Sequence, residues 1–287
     1  MTPSDAPQSR WSDLDRPPLN LPALRRGLLV PGGLWTSLDV VAATGSTNSD
    51  LAGRAASLAE GTVLVAEEQT AGRGRLDRTW TAPARSGLFF SVYLTPGSVP
   101  VQRWGWLPLL AGVAAATGLA RSAGVDTALK WPNDLLVTVD GEERKAGGIL
   151  AERAGDGVVI GIGLNVSLRA DELPAPTAAS LALAGAVSTD RETLLRGVLR
   201  SLEQWYGQWR AADGDAAASG LQEAYAAGCA TLGRRVRAQL PGNRTLTGDA
   251  VAIDGDGRLV LSSDDGSRKP VSAGDIVHLR GAEGGLT

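Results

Sequence analysis

Between residues 128 and 166 the chain passes through four β-type stretches with almost nothing between them. "ALKW" leads to "LLVTV", the turn "DGEE", "KAGGILAER", the turn "GDG" and "VVIGIGLNV". Links this short join antiparallel neighbours, because a parallel return needs a crossover of roughly a dozen residues. Three more strand-like runs precede them: "DVVAAT" (39–44), "TVLVAE" (62–67) and "GLFFSVYL" (87–94). Helical stretches alternate with these runs. One opens at Ser46, Thr47 and Asn48, residues that favour helix N-caps, and an Ala-rich one covers 104–122. A third starts from the capping-box pair Thr189 and Glu192 and carries Leu194, Leu195, Val198, Leu199, Leu202, Trp205, Tyr206 and Trp209 at helical spacing, which reads as core. The expected fold is α+β: a mixed, mostly antiparallel sheet covered by helices.

The two ends differ from this middle. Residues 231–280 hold five short β-like runs separated by "PGN", "DGDG" and "DDGS", the pattern of a small SH3-like β-barrel. Residues 1–33 are Pro-rich and polar, with at most one short helix at "LPALRRGLL". They are too short and too broken for a helix-turn-helix, so an arm is expected. The division is 1–34 arm, 35–230 catalytic domain and 231–281 C-terminal domain, and 287 residues suit one large and one small domain.

Counting narrows the chemistry. Net charge is −3, so no global basic field recruits a polyanion, and specific nucleic-acid binding is not expected. Cys229 is the single cysteine and His278 the single histidine. Disulfide frameworks, Cys/His zinc sites and most histidine triads are thereby excluded, no protein metal site is expected, and both residues read as structural. The N-terminus lacks the apolar stretch of a secretory signal, and "WGWLPLLAGVAAATGLA" is too short and Ala-rich for a membrane span. A cytoplasmic protein with no membrane association is expected.

The remaining candidates are Lys, Arg, Asp and Asn. "QTAGRGRLDRTW" (69–80) crowds Arg73, Arg75 and Arg78 onto a backbone softened by Gly72 and Gly74 and ends on Trp80. Such a loop gains from wrapping an anion, and Trp80 offers a flat face to a purine. In "VVIGIGLNV" strand alternation puts Gly161, Gly163 and Asn165 on one face, and in "RKAGGIL" it groups Lys145 with Gly147. Two glycine-bearing strands suit a ligand lying flat on bare backbone, although close helix packing would also require them. "KWPNDLL" exposes Asn133 and Asp134 after Pro132, where they could form a plain turn, hold phosphate-bound magnesium or orient an amine. No Walker A sequence is present. These residues predict an enzyme that activates a carboxylate with a nucleotide, with cations offsetting the repulsion between the two anions.

"STN" (46–48), "EEQTAGRGRLDRTW" (67–80), "KWPNDLL" (130–136), "RKAGGILAE" (144–152), "GIGLNV" (161–166) and "SAGDIVHLR" occur in one order that closely resembles the biotin–protein ligases, over about residues 35–280. The resemblance implies a class II synthetase-like ligase domain and a two-step reaction. Biotin and ATP, with Mg²⁺, give biotinyl-5′-AMP; biotin then passes to a lysine of a biotin carboxyl carrier domain. It assigns Ser46, Thr47, Asn48 and Gln69 to the biotin ring system, and Arg73, Gly74 and Arg75 to the loop over biotin and its carboxylate. Lys145 would stand between carboxylate and α-phosphate, and Arg75 would join it in catalysis. Arg78, Trp80, Asn133 and Asn165 would meet the nucleotide, along with Arg75 and Lys145. Asp134 would lie near the carrier lysine, and Gly147, Gly161 and Gly163 would form the floor. A monomer or ligand-linked homodimer is expected. Relatives place Gly where this loop has Asp77, whose carboxylate is expected to relieve repulsion among the arginines. Many also carry a DNA-binding helix-turn-helix that this chain lacks, so the monofunctional type is implied. Two alternatives are a lipoate–protein ligase and an RNA-binding protein using the arginine loop.

Overall fold

The computed structural model describes residues 15–76, 78–240, 244–272 and 274–279. Its centre is a seven-stranded sheet. β1 (Ser37–Val41) and β2 (Thr62–Ala66) form one edge, followed inward by β5 (Gly87–Leu94). Then come β9 (Gly157–Asn165), β8 (Glu142–Ala154), β7 (Asp134–Val139) and β6 (Ala128–Lys130), in that order. Only β1 and β2 run parallel; every other neighbouring pair is antiparallel. The mixed, mostly antiparallel sheet expected from the short turns is therefore the one observed. A two-stranded ribbon, β3 (Gly72–Arg73) with β4 (Thr79–Trp80), frames the arginine loop.

One face of the sheet is covered by helices. α1 (Leu21–Leu28), α3 (Leu107–Ala123), α4 (Arg191–Ala211) and α5 (Leu221–Gly228) bring Leu24, Leu110, Leu195 and Tyr225 into a continuous core. α3 and α4 approach closely because both carry glycine at the crossing: a Cβ on Gly118 would lie 2.8 Å from Val198 backbone. α3 starts at Leu107, after a 3₁₀ turn over Val101–Trp106, since Pro108 is tolerated only in a first helical turn. The N-cap of α4 is Asp190, whose side chain accepts from the Glu192 and Thr193 N–H groups, rather than the expected Thr189. Glu192 instead accepts the Asn20 N–H at 2.8 Å and holds the start of α1. The described part of the N-terminal segment is well embedded. Leu19 donates its N–H to Glu67 at 2.7 Å, and the buried Arg191 bridges Glu67 at 2.6 Å to the Pro17 carbonyl.

The opposite face carries α2 (Thr47–Gly53), packed through Leu51 on Leu64, Tyr93 and Val159. α2 is short, so the face beyond it stays open, and that opening is the cleft described below. The C-terminal unit is a five-stranded antiparallel sheet in the order β13 (Arg268–Val271), β12 (Leu259–Ser262), β11 (Arg244–Ile253), β10 (Arg235–Leu240), β14 (Asp275–His278). Its alternating Val236, Ala238, Leu259 and Leu261 are fully buried. Two indoles, one before α3 and one just past β6, anchor its 254–258 turn: Trp106 Nε1 donates to Gly255 O at 2.9 Å and Trp131 Nε1 to Gly257 O at 3.0 Å. Cys229 is buried, and no helix among the described residues is long and apolar enough to cross a membrane.

Candidate active site

β9, β8 and the turn before β7 floor a cleft of about 280 Å³, roofed by the arginine loop and closed at one end by β14. Gly161 and Gly163 face it, as strand alternation requires. Gly147 does not. The β7–β8 register passes from Leu135↔Gly147 to Leu136↔Lys145, leaving Ala146 as a bulge. Simple alternation therefore fails at this point, and Lys145 shares the cleft with Gly148 instead. A Cβ on Gly147 would point at Leu164 and Leu135 in the core, 2.7 and 3.0 Å away.

The bare backbone accommodates protein groups as well as open space. A Cβ on Gly161 would come within 2.1 Å of Asn48 Oδ1, and one on Gly163 within 3.0 Å of the Trp80 ring. Lys145 Nζ stands 5.6 Å from the centre of that ring, and the Trp80 indole N–H has no acceptor among the described residues. At the α2 end the side chains are neutral and sheltered. Ser46 caps α2, and Thr47 and Asn48 occupy its buried first turn. Asn48 Nδ2 donates to Leu150 O at 3.0 Å and to Glu152 at 2.9 Å, while its Oδ1 accepts from Ser91 at 2.6 Å. Gln69 Oε1 accepts the Thr47 N–H at 2.9 Å.

The other end is cationic, and most of its charges already have a partner. Arg73 pairs with Glu152 at 3.0 Å and Lys145 with Asp134 at 2.6 Å. Arg75 donates to Asn133 Oδ1 at 3.2 Å, and Arg78 reaches across to Asp275 on β14. Asn133 is itself fixed, donating to Ile149 O at 2.9 Å. The Lys130 side chain lines the same wall, and its backbone carbonyl accepts the Asn133 N–H at 3.1 Å. Burial lowers the pKa of both Arg75 and Lys130, against an opposing pull from Asp134; neighbouring cations lower them further. A cleft rich in half-buried cations suits an anion.

Of the residues expected at the site, the structure brings together Ser46, Thr47, Asn48, Gln69, Arg73, Gly74, Arg75, Arg78, Trp80, Asn133, Asp134, Lys145, Gly161 and Gly163. Gly147 and Asn165 stay outside. Asn165 is buried at the end of β9, where its amide donates to Ala179 O at 2.9 Å and its carbonyl accepts the Leu181 N–H. That brace holds residues 177–182 beside Lys145, whose own N–H donates to Thr177 O at 2.8 Å. Asp77 lies outside the described residues. Sequence reasoning missed Lys130, Gly148, Glu152, Ser91 and Asp275. Lys130, Gly148, Glu152 and Asp275 all stand inside quoted motifs, and the residue types of the first three could have flagged them. Nothing local links Asp275 to a loop nearly two hundred positions earlier.

Fold and cleft together define an α+β domain whose sheet offers a glycine floor beneath a loop of arginines. Residues 40–166 match the Biotin/lipoate A/B protein ligase family, and residues 231–279 match the Biotin protein ligase C terminal domain. The chain is 48% identical over 271 residues to a biotin–[acetyl-CoA-carboxylase] ligase of Mycobacterium tuberculosis, covering 92% of this chain and 97% of that one. It is 36% identical over 243 residues to the bifunctional ligase/repressor BirA of Bacillus subtilis, covering 82% and 71%. Among solved structures it resembles the Aquifex aeolicus biotin protein ligase in complex with biotin and ATP, at TM-score 0.69 and 27% identity, over 86% of this chain and 100% of that one. It also resembles the Leishmania major biotin protein ligase in complex with biotinyl-5-AMP, at TM-score 0.57 and 25% identity, over 83% and 99%. The chain belongs to the biotin protein ligase family.

Proposed function

We propose that the protein joins biotin to ATP, forming biotinyl-5′-AMP and pyrophosphate, and then passes biotin to a lysine of a biotin carboxyl carrier domain, as in acetyl-CoA carboxylase. The carrying observation is the polarity of this cleft: a hydrogen-bonding pocket beside α2 at one end and Arg75 and Lys145 at the other, with Arg73 reaching over from the loop. That is the order in which biotin presents its ureido ring and its carboxylate. Ser46, Thr47 and Gln69 hold the ring and Asn48 frames it. Arg73, Gly74 and Arg75 close over the valeryl carboxylate, with Gly161 and Gly163 beneath.

In the first step a carboxylate oxygen attacks the α-phosphorus and pyrophosphate leaves. Two anions must meet, and Lys145 and Arg75 offset the charge that builds between them. Trp80, Arg78 and Asn133 take the nucleotide. In the second step the carrier amine attacks the acyl carbon, AMP leaves, and Asp134 receives the amine proton. Among the described residues no group of three Asp, Glu, His or Cys side chains is placed to hold a metal. Asp134 would be the nearby carboxylate for a phosphate-bound Mg²⁺. The ion supplies charge neutralisation on the phosphates.

The chain divides in this reading into 1–34, 35–230 and 231–281, works in the cytoplasm as a monomer or ligand-linked dimer, and has no specific duplex-DNA site. ATP–pyrophosphate exchange measured with biotin, with lipoate and with neither tests the function. Exchange driven by biotin alone is expected. Exchange with lipoate instead, or with neither acid, would overturn it.

A further inference from the structure

Glu152 stands on β8 two positions past Leu150, and its carboxylate faces two ways. Toward the loop it takes Arg73, with Nη2 at 3.0 Å and Nη1 at 3.3 Å. Toward the sheet its Oε2 accepts Asn48 Nδ2 at 2.9 Å. An ionised carboxylate only accepts, so the Asn48 amide must turn its nitrogen to Glu152. Asn48 Oδ1 then faces Ser91, whose fully buried hydroxyl must donate across 2.6 Å.

The constraint propagates. With its proton committed, Ser91 can only accept from Thr47 Oγ1, 2.7 Å away. The Thr47 hydroxyl proton therefore goes either to Ser91 or to Gln69 Oε1 at 3.1 Å. Gln69 Oε1 is held inward by the Thr47 N–H, which leaves Gln69 Nε2 without a hydrogen-bond partner among the described residues. A free amide donor at the end of an ordered chain suits an acceptor such as the carbonyl of a cyclic urea. The Asn48 side chain is meanwhile fully used by Leu150, Glu152 and Ser91, so it frames the pocket without bonding the ligand through its amide.

We propose that Glu152 is a positioning residue for biotin: together with the Leu150 carbonyl it holds the Asn48 amide, and through it the direction in which the Ser91 hydroxyl meets Thr47 beside Gln69. The inference rests on the cleft being the biotin site. Glu152→Gln replaces a pure acceptor with a group that can also donate, so only the Leu150 carbonyl still commits the Asn48 nitrogen and the order loosens. Ser91→Ala breaks the same chain at its far side without touching Arg73 or the loop.

The test is steady-state ATP–pyrophosphate exchange on the full chain, with biotin and ATP varied separately. For each variant the KM for biotin should rise about tenfold, with kcat and the KM for ATP within about threefold of wild type. The double variant should be no worse than Glu152→Gln alone, because both act on one chain. Glu152→Asp should recover part of the loss. A silent Ser91→Ala, or an Arg73→Ala that reproduces the whole Glu152→Gln profile, would mean that Glu152 acts only by tethering the loop, and would overturn the inference. Should Glu152→Gln fail to fold, Ser91→Ala, which removes one oxygen, decides alone. No biotin-dependent exchange in the wild type would overturn the function itself; normal exchange with unchanged biotin KM in the variants would overturn only the positioning role.

Discussion

The two ends of the cleft solve opposite problems. At the α2 end Ser46, Thr47 and Asn48 are nearly inaccessible, and hydroxyl and amide groups bond one another at short range, with the Glu152 carboxylate as the ionised acceptor on Asn48. At the loop end Arg73 and Arg78 are half-exposed cations paired with Glu152 and Asp275. A buried polar network is costly to disturb, because any unpaired member loses its desolvation cost outright. Half-exposed ion pairs contribute only about 0–1 kcal/mol each, so a ligand anion can replace them with little penalty. One end is thus set when the chain folds, with Glu152 held in it by Asn48, and the arginines of the other side are held in half-exposed pairs that a ligand anion can replace. The difference separates recognition of biotin from the handling of charge.

The sharpest way to break this division is at Lys145, the cation nearest the expected meeting of carboxylate and phosphate. Lys145→Ala should leave thermal stability close to wild type and slow biotinyl-AMP formation by roughly 10²–10³-fold, the cost of one preorganised electrostatic contact. Single-turnover formation of the adenylate reads it directly; near-normal rates would remove Lys145 from the chemistry. Next comes the rigid end. In Gly161→Ala the new methyl would sit 2.1 Å from Asn48 Oδ1, which has no free direction to yield. Overpacking of this kind costs about 1–3 kcal/mol, so biotin affinity by calorimetry should fall about tenfold or more while ATP affinity changes little. Equal losses for both ligands would erase the contrast between the ends.

A smaller effect concerns how the C-terminal sheet holds the cleft wall. His278 Nε2 lies 3.1 Å from Thr231 Oγ1, which also accepts the Trp131 N–H, and its Nδ1 faces Arg234 at 3.3 Å. Burial first, then Lys130 and Arg234, with Glu143 opposing, push the imidazole from 6.5 down to about 4. Between these values the unfolded chain holds a proton that the folded chain refuses. The contribution is therefore fully present above pH 6.5 and is lost as pH falls toward 4. After solvent screening it is on the order of 1 kcal/mol. His278→Gln should flatten the difference in melting temperature between pH 7 and pH 5; an unchanged slope would assign the acid sensitivity to carboxylates.

The smallest effect belongs to the readiest pair. Asp275→Asn frees Arg78 from β14 without altering the floor. ATP should bind a few-fold more tightly at low salt, since a competing carboxylate worth about 0–1 kcal/mol is gone, and the gain should fade as salt rises. Weaker ATP binding at every salt concentration would mean that Asp275 places Arg78 rather than competes for it.

Much of this was legible in the residues. The turns "DGEE" and "GDG" fix antiparallel pairing of β7, β8 and β9 because so short a link permits nothing else. The ordered motifs carried the family, and alternation placed Gly161 and Gly163 on the cleft side. Alternation failed for Gly147 because the Ala146 bulge is a property of two strands together, invisible in either one. The helix start moved from Thr189 to Asp190 because Glu192 is engaged by Asn20 from α1. The order of turns, the glycine spacing and the supply of arginines are local and were determined by the sequence by itself. Which carboxylate meets which arginine was decided only when the sheet, the loop and the C-terminal strands met. Arg73–Glu152 and Arg78–Asp275 join residues far apart in the chain, and electrostatic partnership depends on distance in space, on which linear order is silent.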